Sequence, residues 1–216
     1  MSDNVESAQK EAVLNLLIEV IAIFRDNKSF DPNNSVFGKI HNTRQSPGNP
    51  GMSYLFKNSA LPPAEIVFST TADPLDYSDE RMTIPVVPRY FEILFADPIL
   101  AINRSLIEKQ LDLSGYWIDR DGVTQKSNDL GPGYAPQDRI HIYRYRANEH
   151  LNTRVPVDVE LDYIDPERSD PSGVQELSRI VISHAYKNMT PEERKQKREE
   201  KEQRTRDLYR NPGVAQ

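Results

Sequence analysis

Arg139–Tyr163 reads RIHIYRYRANEHLNTRVPVDVELDY. Its second half alternates without a break: Val155, Val157, Val159, Leu161 and Tyr163 fall on one side, Pro156, Asp158, Glu160 and Asp162 on the other. Period two is the spacing of a strand with one buried and one wet face. The first half alternates too, with His141, Tyr143 and Tyr145 set against Ile140, Ile142, Arg144 and Arg146. Ala147–Arg154 between them is polar, so the whole reads as a long antiparallel hairpin. The arginine face of one strand then lies beside the carboxylate face of the next, and each such cross-strand pair adds a little stability.

Toward the C-terminus, Asp165–Gly173 (DPERSDPSG) reads as a linker. Val174, Leu177, Val181 and Ala185 then recur at helical spacing, so a helix is expected over Val174–Lys187. Thr190-Pro191-Glu192-Glu193 is a helix start: Thr as N-cap, Pro in the first turn, Glu three residues on. The helix it opens has almost no apolar face before Leu208 and Tyr209. Such a helix cannot hold itself to a core. It is expected to be a solvated arm, or one that docks on a neighbour through charge and those two residues.

Toward the N-terminus, Tyr116–Thr124 reads as a tight hairpin around Asp121-Gly122. Asp119-Arg120-Asp121-Gly122 also opens like a calcium loop, but the glycine comes too early and no glutamate closes it. Asp97-Pro98 looks like a cap and first turn, predicting a helix from Pro98 to about Gln110. Ile66–Thr71 and Met82–Phe95 read as extended, with Pro85 and Pro88 confining the second to an edge or to irregular structure. Residues 26–63 and 125–138 cluster turn formers and read as long loops. Ala12–Phe24, AVLNLLIEVIAIF, is apolar except for a stripe through Glu11, Asn15 and Glu19. That is a helix buried on most of its surface; the stripe is acidic, where a membrane-lying helix is basic.

The fold class expected is therefore α+β: a mostly antiparallel sheet flanked by an N-terminal core helix and a helix after the long hairpin, plus a charged C-terminal helical arm. Residues 1–188 would form one domain and 189–216 the arm.

The 216 residues carry a net charge of −6, which argues against a dedicated nucleic-acid binder. There is no cysteine, which excludes disulfides, a thiol nucleophile and thiolate metal sites. The acidic start MSDNVESAQKE is unlike a secretory signal, and no apolar run reaches a membrane span. A soluble protein, made in a cytoplasm, is expected. No phosphate loop, dinucleotide fingerprint, zinc-protease motif or nucleophile elbow is present. His41, His141, His150 and His184 are scattered, and His141 on a strand face with two tyrosines suits packing better than catalysis. No catalytic residue, cofactor or metal ligand is assigned.

From Arg139 onward, the order RIHIYRYR, ANEHLNTR, VPVDVELDYI, a short acidic linker and ELSRIVISHAY resembles the tail-terminator and tail-cap proteins of contractile phage tails and related injection machines. The likeness rests on Tyr143-Arg144-Tyr145-Arg146, Asn148–Asn152 and Pro156–Tyr163, with Val13–Phe24 as the first helix. Residues 48–130 carry no motif of that group. What the resemblance implies is a structural virion protein with no enzymatic activity. A ring, typically a homohexamer, seats on the tail tube, stops polymerisation of tube and sheath, and docks the neck. DNA passes through without specific binding, and no membrane is involved. On this reading Arg144, Arg146, Asp158, Glu160 and Asp162 are the polar sheet face at subunit contacts, and Leu208 and Tyr209 are the partner-binding end of the arm. The alternative is an acidic cytoplasmic protein that neutralises a basic partner such as a toxin.

Overall fold

The computed structural model describes residues 2–26, 28–45, 50–72, 86–100, 102–133, 139–151, 153, 155–167 and 173–210. The chain runs α1 (Ser2–Arg25), β1 (Lys39–Gln45), β2 (Met52–Lys57), β3 (Ala64–Ala72), β4 (Val86–Ile99), α2 (Arg104–Leu111), β5 (Leu113–Ser114), β6 (Trp117–Ile118), β7 (Thr124–Gln125), β8 (Asp129–Pro132), β9 (Ile140–Ala147), β10 (Val157–Ile164), β11 (Glu176–His184) and α3 (Pro191–Arg210). It is an α+β fold built on an antiparallel sheet. Nine strands form that sheet in the order β1-β2-β3-β4-β11-β10-β9-β5, with β8 also paired to β9, while β6 and β7 make a separate hairpin.

Alternation along each strand, locked by register, produces two faces of opposite character. One row of paired residues runs Tyr54, Phe68, Phe91, Ile182, Val159, Tyr145 across six strands, and the next runs Phe56, Ile66, Ile93, Ile180, Leu161, Tyr143. These rows meet the buried stripe of α1, from Val13 through Leu16, Leu17 and Val20 to Phe24. Glu11 and Asn15 stay exposed on the outer side of that helix, as its sequence stripe requires. Glu19 instead accepts from Lys28 (2.6 Å) and Asn34 (3.0 Å), tying the chain after α1 back to the helix. Phe30 and Phe37 follow in that returning segment, and Phe30 stacks on Phe68 with ring centroids 3.9 Å apart.

The long hairpin stands as expected, β9 against β10, but the element after it differs. Val174–Lys187 is not a helix: Glu176–His184 is strand β11, inserted between β4 and β10. The register steps from Asp162↔Arg179 to Tyr163↔Leu177, leaving Ser178 as an extra residue in a β-bulge. The bulge puts Leu177 and Ile180 on the same face three residues apart, which imitates helical spacing. Ile180, Val181 and Ile182 are the β-branched run that marks a strand.

Three further expectations are corrected. Residues 26–63 are not one loop, since β1 and β2 form a hairpin within them. β1 is exposed at all seven residues, so it has no buried face to generate an alternation signal. Residues 125–138 hold β8, whose Asp129–Pro132 pairs with β9. Asp97 and Pro98 lie inside the end of β4; the helix starts at Arg104, where Asn103 caps it by accepting from the Leu106 N–H (2.9 Å). Pro85 lies outside the described residues. Pro88 sits where β4 has β3 on one side but has not yet met β11, whose pairing begins at Tyr90; a missing N–H is tolerated there.

At the C-terminus the Thr190 box forms as read. The Glu193 N–H donates to Thr190 Oγ1 (3.2 Å), and the Thr190 N–H donates to Glu193 Oε2 (2.7 Å). The first turns of α3 rest on the tip of the β6–β7 hairpin through Lys197 Nζ to Arg120 O (3.1 Å) and Met189 N to Gly122 O (3.1 Å). Gly122 has φ +76°, and a Cβ there would meet Met189 Cγ at 2.5 Å. The tip therefore needs glycine for its turn and for this contact.

Candidate functional site: the polar face of the sheet

The face turned away from α1 carries a polar row across the whole sheet. Register aligns Arg44, Ser53, Ser69, Tyr90, Ser183, Asp158, Arg146 and Ser114, one from each of eight strands. The row has two halves that differ in cover and in charge.

On the β9–β11 half, Arg144, Arg146 and Arg179 each meet carboxylates of the same chain. Arg146 donates from Nε to Asp158 Oδ1 (2.7 Å) and from Nη2 to the Tyr186 carbonyl (2.9 Å). Arg144 binds Glu160, as their direct register predicts. Arg179 joins three carboxylates: Glu92 (2.5 Å), Asp162 (3.1 Å) and Glu160 (3.6 Å). The pairing is thus Arg146 with Asp158 and Arg144 with Glu160, and Arg146 does not pair with Glu160. The β6–β7 hairpin lies over this end, its Trp117 ring 5.0 Å from the Arg144 guanidinium. Burial follows: Arg146 is 3 % exposed and Asp158 7 %. Burial pushes the Asp158 and Asp162 carboxyls up from their ordinary values against the pull of the arginines beside them.

On the β1–β4 half, the same face opens into a groove of about 440 Å³ lined by Arg44, Met52, Ser53, Ser69, Arg89 and Tyr90 among others. Two features shape it. A Cβ at Gly51 would lie 2.2 Å from the Thr70 carbonyl oxygen, so β2 approaches β3 this closely only because Gly51 has no side chain. The β3–β4 register steps from Ser69↔Tyr90 to Thr70↔Pro88, making Arg89 the extra residue of a bulge. Bulges re-aim side chains, and this one supplies an arginine to the groove.

Two histidine clusters lie elsewhere. His141 bridges Asp129 (Nε2, 2.6 Å) and Asp165 (Nδ1, 3.4 Å), stacked on Tyr143 at 4.8 Å. Partial burial alone would lower the imidazole, but the bonds to Asp129 and Asp165 outweigh it and the pKa rises. The His141 hydrogen bond and the Gly131 N–H hold Asp129 below its ordinary value. The His141 contribution to stability is full below pH 6.5 and fades as pH rises through its elevated folded value. The Asp129 contribution is present above its unfolded pKa and lost in acid. Because Asp129 is half exposed, the clamp is worth only about 0.5 kcal/mol. Urea midpoints at pH 6 and pH 9 should show that loss in the parent and none of it in His141→Gln; an identical pH dependence in both would refute the clamp. At the other end of the hairpin, His150 spans Asp26 (3.1 Å) and Asp112 (3.2 Å), joining the ends of α1 and α2 to the β9–β10 loop. Among the described residues, no group of three or more metal-ligating side chains forms a metal site.

All five sheet residues singled out in the sequence, Arg144, Arg146, Asp158, Glu160 and Asp162, therefore come together on one face. Leu208 and Tyr209 fall within α3, but their side chains lie outside the described residues. His41 is on the exposed edge strand β1, and the His184 ring packs edge-on against Phe24 at 5.5 Å. The sequence reading missed Arg179, hidden in the segment taken for a helix, and gave no weight to Arg44 or Arg89. A strand reading of the Ile180–Ile182 run would have placed Arg179 beside the acidic face. No sequence signal marks the bulge at Arg89. No protein-family model matches the chain, and neither a curated protein nor a solved structure is a match for it.

Proposed function

We propose that this chain is a structural ring subunit, a tail terminator that caps a contractile tail tube and docks its neck. The observation that carries the reading is the sheet edge. β1 presents seven consecutive exposed residues, with β2 as its sheet neighbour and nothing on its outer side among the described strands. An unpaired edge is a template for another strand, and a head-to-tail contact repeated by rotation closes into a ring. Two things add support. α3, 20 residues and about 30 Å long, rests on the body at its first turns and then carries an almost wholly charged surface, a shape suited to reaching a neighbour. A net charge of −6 suits a collar through which DNA passes without sticking.

One element departs from what the resemblance implies: the segment after the linker is strand β11, not a helix. The neutralised charges on β9 and β10 also change what a contact through Arg144, Arg146, Asp158, Glu160 and Asp162 would be. It would meet a covered, internally paired surface, so the edge and the arm are the better contacts. Ile40→Lys with Thr43→Lys adds two charges to the exposed edge without touching the core. Light scattering should show the parent as a ring and this variant as the 24.8 kDa monomer. A variant that assembles like the parent would remove the edge from the reading.

A further inference from the structure

The two halves of the polar face treat arginine differently. Arg144, Arg146 and Arg179 each meet a carboxylate of this chain. Arg44 and Arg89 instead line a groove whose walls include no carboxylate among the described residues, in a chain with 33 acidic and 27 basic residues. Both side chains are exposed, from strands three apart in the sheet. Between them, Ser53 and Ser69 lie in register, their hydroxyls 2.7 Å apart. One hydroxyl donates to the other, which leaves one hydroxyl proton free to donate to something above the sheet. Tyr90 adds apolar surface to the same groove.

We propose that this groove binds a phosphomonoester of mononucleotide size. Its phosphate is held by Arg44 and Arg89 with the serine pair beneath, and its organic part lies against Tyr90. A dianionic group with several oxygens can accept from two guanidiniums and a hydroxyl at once, which a single carboxylate does poorly. The volume, about 440 Å³, falls within the usual span of small-molecule sites. The bulge that aims Arg89 and the close approach at Gly51 build the groove into the backbone, so it does not depend on one flexible side chain. The site goes beyond the ring reading and stands without it.

Isothermal titration at constant ionic strength, set with chloride, tests the proposal with four probes: adenosine monophosphate, adenosine, inorganic phosphate and acetate. Adenosine monophosphate should bind best, phosphate more weakly, and adenosine and acetate not measurably. Arg44→Gln and Arg89→Gln should each weaken adenosine monophosphate binding by about tenfold or more. Arg120→Gln, on the β6–β7 hairpin tip and not among the groove residues, should bind as the parent does. Adenosine or acetate binding as tightly as its phosphate counterpart would overturn the proposal. So would the absence of heat from adenosine monophosphate at millimolar concentration, or unchanged affinity in both arginine variants. If either variant loses its fold, the four-probe comparison on the parent still decides.

Discussion

Arg146→Met should cost about 3–5 kcal/mol of stability at neutral pH, the range for removing one partner of a buried ion pair. Arg146 is 3 % exposed and is the nearest cation to Asp158, 2.7 Å away. Methionine fills much the same volume but leaves Asp158 buried without its direct ion partner, with only the more distant Arg144 to offset its charge, and it orphans the Tyr186 carbonyl. The pH dependence is part of the prediction. Burial already raises the Asp158 pKa, and losing the guanidinium raises it further. A carboxyl whose folded value is raised favours the fold below its unfolded pKa and burdens it as pH climbs through the folded one. The deficit of the variant should therefore be largest near pH 7 and shrink toward pH 4. Arg146→Met combined with Asp158→Leu should recover most of the loss, because an apolar pair of similar volume needs no desolvation. Urea denaturation of the three proteins at both pH values checks this. A single-variant loss under about 1 kcal/mol at pH 7 would mean the pair is wet, and the covered half of the face would have to be redrawn.

Phe68→Ala should have an effect of similar size for a different reason. Phe68 is fully buried in β3, stacked on Phe30 and met edge-on by Phe24, Phe37 and Phe91. Truncating a buried phenylalanine costs about 3–5 kcal/mol through lost transfer energy and the cavity left behind. Here the cavity opens where the segment after α1 folds back over β2 and β3, since Phe30 and Phe37 both rest on this ring. The variant should therefore lose proteolytic protection of residues 28–38 first, while the β9–β10 hairpin stays protected. Limited proteolysis with mass mapping, together with urea denaturation, reads both effects. Equal protection of the two regions, or a loss near 1 kcal/mol, would show that the aromatic cluster does not anchor that segment.

How much of this was legible follows from how much each strand alternates. β10 is half core and half charged, so period two appeared at once and carried the hairpin, its register faces and the α+β class. The Thr190 capping box was legible because its chemistry is local, needing two side chains three residues apart. β1 was invisible for the opposite reason: a strand with seven exposed residues and no buried face leaves no pattern. β11 was misread because apolar residues lie on both of its faces, Leu177 opposite Tyr163 and Val181 opposite Glu160, so that Val174, Leu177, Val181 and Ala185 fall at helical spacing. That single misreading hid Arg179, and with it the bridge from Glu160 and Asp162 to Glu92 on β4. The groove could not be read at all. Its residues come from strands far apart in sequence, and the feature that aims Arg89 is a bulge in register between β3 and β4.

The functional reading turns on whether the open edge finds another copy of this chain. Multi-angle light scattering on the purified protein, alone and mixed with tail-tube protein, asks this most directly. The expected result is a single closed species of the protein alone at an integral multiple of 24.8 kDa, sixfold by the resemblance, with added mass when tube protein binds it. A mass of 24.8 kDa under both conditions would contradict it.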